Sequence, residues 1–474
     1  MLIGVVIIFF ALILTVGAYA SRRAGKASDF LVAGRSVNLL LTTTTLAAMQ
    51  IGAGVIMGGS ASGAESGIWP GMWYGIGCGG GLILAGLLAA SKLRAGGGLV
   101  PLDFFATRYG ERRWVRVWGW MSNIPSLLGI FVVQIMAAGS ILSIFGVEYK
   151  TGVVVVGLVI MIYSAMGGMW GVVIVDFIQL AVVVIGIPWV AAISILKLQT
   201  AGSLAAVLDT PFIPHGMLPK AIFTILPFLL SISISYDAFM RFQSAKSAST
   251  ARWGAILGGL IVIAISFCTA LIGAVGRVVF SDATGVPNKA VLPHVIQTSL
   301  QPLAAGIVVS AILAGTMSSA NCLLLSLAGT CSRDFYNKVL HPRAQLDELR
   351  HSKLISRLAI VGTLVVGVAV AFNAKGIIET MILFNYPYMG SMLVPLLGGL
   401  LWSRATARGA LAAIVTGGTI GVVSFLASLP GPLHGIVNVD LGLLTAYAAS
   451  AVVLVAVSLA TPRDRTASTC SQGQ

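Results

Sequence analysis

The segment that decides the fold reads TTTTLAAMQIGAG, residues 42–54, and lies inside an apolar run over about residues 37–63. Threonine and glycine are poor helix formers, so such a run can break a helix. A broken membrane helix leaves backbone carbonyl groups free to face a cation. The same small residues also suit close packing between helices, and this segment alone favours neither interpretation.

The chain around this segment is strongly apolar. Hydrophobic residues make up 57% and charged residues 9% of the 474 residues, and the mean hydropathy is +0.97. A soluble domain carries about a quarter charged residues, so the composition predicts a polytopic α-helical membrane protein. The net charge of +14 is spread in short clusters between apolar blocks, which indicates loop charge and not a nucleic-acid partner.

A helix needs about 20 apolar residues to cross the hydrocarbon, and this length predicts thirteen transmembrane helices. Their approximate spans are 2–20, 37–63, 71–93, 114–145, 151–168, 171–197, 221–240, 254–280, 302–331, 354–374, 378–402, 407–427 and 440–460.

The order of charges around residues 1–20 predicts the orientation. Ala18-Tyr19-Ala20 is similar to a signal-peptidase site, yet no basic residue precedes the apolar run and three follow it. That order predicts a retained first helix with its N-terminus outside and the C-terminus in the cytoplasm of a plasma (inner) membrane protein. With this orientation, 23 of the 29 Lys and Arg residues fall in cytoplasmic segments, among them 241–252.

Three further features place polar groups inside apolar runs. The segment GTMSSAN, residues 315–321, can present two hydroxyl groups and a carbonyl group to one ion, or its serines can bond back to the helix. Asp176 is a functional candidate by its position, although it can instead be the structural partner of a buried arginine. Asp237 and Glu379 are expected nearer span ends, where water reaches them.

The seventh span predicts a second discontinuous helix. Pro227 removes an amide donor, and Ser231, Ser233, Ser235 and Tyr236 follow it. This span comes five spans after the first broken one, which is the spacing that an inverted repeat of five helices predicts. The five cysteines and five histidines are scattered without metal-ligand spacing, and no nucleophile–base set is visible, so an enzyme is not expected.

Four segments carry a resemblance to a known family. They are YSAMGGM (163–169) with Asp176 and Gln179, RFQSAKS (241–247), TMSSAN (316–321) with SRDFY (332–336), and Arg404 with Gly409-Ala410. In this order and spacing the chain resembles the sodium:solute symporter family, from about residue 21 to 425.

The resemblance implies a LeuT-like fold with a ten-helix core of two inverted five-helix repeats. Residues 37–197 form the first repeat and 198–402 the second, with an extra helix and loop in 1–36 and two helices and a short tail in 403–474. It also implies one sodium ion between the first and eighth core helices. Carried over by position, the ligands are the carbonyl groups of Ala48, Ile51 and Gly315 and the hydroxyl groups of Ser318 and Ser319.

Departures from the family pattern limit the ion count. Gln50 and Asn321 stand where many relatives have aspartate, and Gly315 stands where relatives with a second sodium tend to have serine. One sodium is therefore expected, and Asp176 then supports the site indirectly or lies on the ion's exit path.

The expected function is sodium-coupled symport of a small organic solute by alternating access, with no cofactor beyond the coupling ion. The solute is a carboxylate, an amino acid or a similar compound, and a monomer is compatible with this architecture. The solute cavity is expected near Gln50, Gly54, Trp73, Ser231, Ser235, Tyr236, Asn385 and Tyr388. A proton-coupled carrier of the same fold and a transporter-like sensor are the alternatives.

Overall fold

The computed structural model describes most of the chain. The described residues are 33–98, 100–110, 113–163, 169–200, 207–232, 235–279, 285–342, 351–374, 376–429 and 439–462, with five single positions before residue 16. The predicted first span, 2–20, and most of the YSAMGGM segment therefore lie outside the described residues.

The described residues are almost entirely helical. In chain order the helices are α1 Leu39–Gln50, α2 Gly54–Ser66, α3 Ile68–Gly96, α4 Pro101–Tyr109, α5 Arg113–Leu142, α6 Tyr149–Tyr163, α7 Met169–Thr200, α8 Leu218–Ser231, α9 Tyr236–Ser244, α10 Ala248–Val278, α11 Val291–Ser299, α12 Pro302–Leu340, α13 Ser352–Asn373, α14 Ile377–Leu401, α15 Ala407–Ser428 and α16 Val439–Ala460.

The apolar length of these helices is that of a multi-pass membrane protein. Within the described part, nine spans are long and apolar enough to cross a membrane, and the bent pair α1–α2 makes a tenth. The all-helical fold class predicted from hydropathy is therefore confirmed, and each predicted span after the first coincides with helix. The count of thirteen stays a prediction.

The same order of elements occurs twice along the chain. Each series begins with a discontinuous helix, α1–α2 in the first and α8–α9 in the second. A long helix follows (α3, then α10), then a nine-residue helix (α4, then α11) and three further helices. Helix α10 packs against α1, α2 and α3, while α5 packs against α6, α12, α13 and α14. The two groups of helices face each other across the candidate site.

Small residues and backbone hydrogen bonds hold the first group together. A Cβ atom on Gly273 would lie 2.0 Å from the Ser60 carbonyl oxygen, so α10 and α2 approach too closely for a larger residue. On the side where the loops are basic, Val37 pairs with the residues after α9: its amide donates to the Ser244 carbonyl (3.1 Å), and the Lys246 amide donates to the Val37 carbonyl (2.9 Å). The start of α1 therefore moves together with the end of α9.

Candidate functional site

The first helix breaks at the threonine- and glycine-rich segment. Helices α1 and α2 meet at an angle of 52°, and the Ile51 amide makes the last helical bond of α1, to the Ala47 carbonyl (2.9 Å). The Ala53 amide donates to the side chain of Gln134 on α5 (3.3 Å) and not to the carbonyl four residues earlier. The Ala53 amide would have been the helical donor to the Met49 carbonyl, which is left without it. The Ala48 carbonyl likewise has no helical donor, because the last helical bond of α1 goes to Ala47. The predicted break is thus present at the predicted residues.

The second discontinuity lies between α8 and α9. Helix α8 ends at Ser231, Ser235 has an extended backbone, and α9 begins at Tyr236; Ser233 lies outside the described residues. The break therefore falls in the middle of the apolar span Leu218–Ser244, which places Asp237 at the start of an internal half-helix. Asp237 is half-buried and lies seven residues before the end of this span (244 − 237), so the expectation that it lies nearer a span end stays a prediction.

Asp176 is the centre of a buried polar group that we call the Asp176 cluster: Thr45, Asp176, Arg241 and Ser318. The carboxylate is 4% exposed. Its Oδ2 accepts a hydrogen bond from the Thr45 hydroxyl (2.6 Å) and pairs with Arg241 Nη2 (3.3 Å), while Oδ1 accepts from the Ser318 hydroxyl (3.3 Å). Arg241 Nε also donates to the Thr45 hydroxyl oxygen (3.0 Å). Four helices, α1, α7, α9 and α12, thus meet at one carboxylate.

This cluster supplies the buried arginine that the second interpretation of Asp176 required. Arg241 is 2% exposed, although the sequence placed it among cytoplasmic loop charges. That placement was wrong because α9 continues to Ser244 and keeps Arg241 inside the helix bundle. An ion pair in this position is retained because each charge compensates the other.

Two of the segments that carry the expected sodium ligands reach the Asp176 cluster. Ala48 is one helical turn after Thr45, and Ser318 donates to Asp176 directly, so α1 and α12 meet at the same carboxylate. Ala48, Gly315 and Ser319 are half-buried, whereas Ile51 and Ser318 are buried. Because Ser318 uses its proton on Asp176, its oxygen lone pairs remain available to a cation.

A separate cavity lies between the two breaks, and we call it the solute cavity. Seven of the eight residues predicted for it line the wall: Gln50, Gly54, Ser231, Ser235, Tyr236, Asn385 and Tyr388. Its volume is about 60 Å³, which is room for a few water molecules or a small solute of similar size.

The eighth residue, Trp73, does not line the solute cavity. Its indole nitrogen donates to the Phe212 carbonyl (3.2 Å), and it lines a larger cavity of about 810 Å³ beside Glu65, Lys220 and Glu379. Its chain neighbour Tyr74 takes the place in the solute cavity. Adjacent helical residues face different directions, so a prediction displaced by one residue selects the wrong cavity.

Sequence reasoning missed the wall contributed by α5 and the carboxylate of α9. Asn123, Ser126 and Gln134 line the solute cavity, as does Asp237. Ser126 donates to Asn385 Oδ1, and Asn385 Nδ2 donates to the Met381 carbonyl (2.7 Å). The spacing of these α5 residues over three turns, on one side of an otherwise apolar helix, was the available signal.

A second charged group lies at the end of the bundle where the loops are basic. We call it the Asp334 cluster, and it contains Asp103, Arg116, Tyr236, Thr330, Arg333 and Asp334. Arg333 Nη2 contacts both carboxylate oxygens of Asp103 (2.8 and 3.0 Å). The Tyr236 hydroxyl donates to Asp334 Oδ2 (2.9 Å). Since Tyr236 also lines the solute cavity, this hydrogen bond joins the cavity wall to the Asp334 cluster.

Comparisons with known proteins identify the family of this chain. The model of the sodium:solute symporter family matches residues 30–417. The sodium/pantothenate symporter of Escherichia coli (strain K12) is 28% identical over 437 residues, covering 88% of each chain. The sodium/proline symporter of Staphylococcus aureus (strain JH9) is 24% identical over 441 residues, covering 88% of this chain and 84% of the relative.

Solved structures share the fold. A sodium-coupled sialic acid symporter in a substrate-bound, outward-open state superposes with a TM-score of 0.76 at 17% identity, covering 98% of this chain and 99% of that one. A nucleobase–cation–symport-1 family transporter superposes with a TM-score of 0.61 at 15% identity, covering 93% and 97% of the two chains. From the family match over most of its length, the chain belongs to the sodium:solute symporter family and is a multi-pass membrane transporter.

Proposed function

We propose that this transporter carries a small organic solute into the cell together with one sodium ion bound where α1 breaks against α12. The ligands are the carbonyl oxygens of Ala48, Ile51 and Gly315 and the hydroxyl oxygens of Ser318 and Ser319. The observation that carries the proposal is the shared carboxylate of Asp176, which accepts hydrogen bonds from α1 and from α12. Two segments rich in neutral oxygen ligands thus both hydrogen-bond to one side chain, which supports a shared ion site.

A single sodium fits the charges around Asp176. Arg241 already compensates this carboxylate, so Asp176 is not free to bind a second cation with its full charge. Its part is to orient the Ser318 hydroxyl, and it lies on the ion's route to the cytoplasm. Gly315 has no side chain, so this position supplies no side-chain oxygen for a second ion. A Cβ atom added there would have Gln179 Oε1 within 4 Å, at 3.9 Å.

The solute occupies the cavity beside the same break, and this proximity couples the two binding events. Sodium orders the residues from Ala48 to Ile51, and Gln50 of this segment lines the solute cavity. Each ligand then raises the affinity of the other by the same factor. The two five-helix repeats, residues 37–197 and 198–402, rock against each other and expose both sites to the cytoplasm.

The membrane setting follows from the loop charges. We place the protein in the plasma membrane with its N-terminus outside and its C-terminus inside, so the Asp334 cluster lies on the inner side. A negative-inside potential adds about 2.3 kcal/mol per charge per 100 mV to inward sodium movement.

Uptake into proteoliposomes tests the proposal. Labelled proline and pantothenate, the solutes named for the two relatives, are offered under an inward sodium gradient and under matched potassium and choline gradients. We expect uptake only with sodium, and its loss in Ser318→Ala and Ser319→Ala. Uptake that persists without sodium, is driven by a proton gradient and is insensitive to both substitutions would contradict sodium coupling.

A further inference from the structure

The described wall of the solute cavity carries one negative charge and no positive charge. Among the described residues of its wall, Asp237 is the single charged side chain, and no lysine or arginine lies there. A solute that is only an anion would meet a like charge and no basic partner. The wall therefore disfavours a simple carboxylate and favours a solute with a positive group.

Asp237 leaves one carboxylate oxygen open to a ligand. Its Oδ1 accepts hydrogen bonds from the Ser235 hydroxyl and from the Ala238 amide (3.1 Å). Its Oδ2 has no partner among the described residues. The nearby guanidinium of Arg241 is engaged with Asp176 and donates to Asp237 only at the backbone carbonyl (3.3 Å). An ammonium group of a solute would supply the missing partner.

A buried donor on α5 also lacks an acceptor. Asn123 is 1% exposed and lines the cavity, and its Nδ2 has no hydrogen-bond partner among the residues that the structure describes. Buried amide donors are normally satisfied, so this one awaits an acceptor from water or a ligand.

We propose that the solute is a small zwitterion, with its ammonium group on Asp237 and its carboxylate accepting a hydrogen bond from the Asn123 amide. This inference rests on the proposed function, because it takes the cavity beside the sodium site to be the solute site. Neutral amino acids and imino acids have this chemistry. Pantothenate, an anion without an ammonium group, does not.

Thermal unfolding of the purified full-length protein in sodium chloride tests the charge requirement. Each neutral amino acid, and L-proline, is compared with two analogues: the acid that lacks the amine and the amine that lacks the carboxylate. For L-proline these are cyclopentanecarboxylate and pyrrolidine. We expect at least one zwitterion to raise the melting temperature and neither of its analogues to do so at the same concentration. Pantothenate is measured as a further anion.

Two substitutions locate the charged ends. Asp237→Asn keeps a capping oxygen but removes the charge, and we expect about 10- to 100-fold weaker binding of the zwitterion. Asn123→Leu should weaken binding of the zwitterion by about 10-fold. Asp209→Asn, the same change at an exposed aspartate outside the cavity, is the matched control and should bind like the wild type.

The outcomes separate this inference from the proposed function. An anion that stabilises as well as its zwitterion, unweakened by Asp237→Asn, overturns the inference, and so does a panel in which no zwitterion stabilises. Stabilisation by sodium alone, absent in potassium, is measured in the same experiment. If it persists while the zwitterions fail, the sodium site stands and only the solute class is wrong.

Discussion

The Asp176 cluster and the solute cavity differ in how their polar groups are satisfied, although α9 contributes to both. In the cluster, the carboxylate of Asp176 has an arginine and two hydroxyl donors. In the cavity, one oxygen of Asp237 and the amide nitrogen of Asn123 have no partner in the described part of the chain. A buried cluster whose hydrogen bonds are all made holds helices in place. Buried polar groups without hydrogen-bond partners are instead available to a ligand.

The two regions are also mechanically connected. Asp237 and Arg241 lie one turn apart on α9, so a solute that pulls on Asp237 acts on the helix that holds Asp176. On the same half-helix, Tyr236 reaches the Asp334 cluster through its hydrogen bond to Asp334. A movement of this one short helix would therefore act on both the Asp176 cluster and the Asp334 cluster. The substitutions below challenge the contrast between the two regions, beginning with the largest expected effect.

Replacing Arg241 by glutamine should cause the largest loss of stability. The substitution leaves Asp176 as a buried, uncompensated charge, and breaking such a pair costs about 3–5 kcal/mol. We expect a large fall in the melting temperature of the purified protein. Removing both charges, in Asp176→Asn with Arg241→Gln, should restore most of the stability while leaving sodium affinity low. A single variant that melts like the wild type would show that the cluster is not an ion pair in the membrane.

Ser318→Ala and Ser319→Ala should weaken sodium binding without the same loss of stability. Each removes one neutral oxygen ligand, and we expect apparent sodium affinity to fall by about tenfold per substitution. The readout is the sodium concentration that gives half-maximal uptake. Ser326→Ala on the same helix is the matched control, and an equal loss there would assign the effect to helix packing.

Gln134→Leu should disturb both regions by a smaller amount. It removes the acceptor of the Ala53 amide at the break, and an unsatisfied buried amide costs about 1–3 kcal/mol. We expect weaker binding of sodium and of solute, measured by uptake at varied concentrations of each. Gln134→Glu keeps an acceptor oxygen and should have the milder effect; if the two variants behave alike, the hydrogen bond does not hold the break.

Gly315→Ser should have the smallest effect. A Cβ atom there meets only Gln179 Oε1, at 3.9 Å, so the serine fits. Relatives that bind a second sodium tend to have serine at this position, yet Arg241 compensates Asp176 here. We therefore expect uptake to depend on sodium with a Hill coefficient of about 1 in the variant as in the wild type. A sigmoidal dependence in the variant would show that Arg241 does not exclude a second ion.

Hydropathy predicted the helical spans well because crossing lipid demands long apolar runs. The first break was one of two interpretations of residues 42–54, since threonines and glycines weaken a helix but also suit close packing, and the family resemblance decided between them. Arg241 was misplaced because it lies after a break inside an apolar span, and no sequence rule shows that the chain continues as helix beyond it. Asn123 and Gln134 were missed because single amides in apolar helices commonly satisfy themselves, and their spacing along α5 was not used as a signal.

Equilibrium binding of radioactive sodium to the purified protein tests the shared ion site most directly, because it requires no knowledge of the solute. We expect saturable binding of about one ion per chain, displaced by unlabelled sodium but not by potassium. This binding should be abolished in Ser318→Ala with Ser319→Ala. Saturable binding that is unchanged in the double variant, or no saturable binding to the folded wild type, would contradict it.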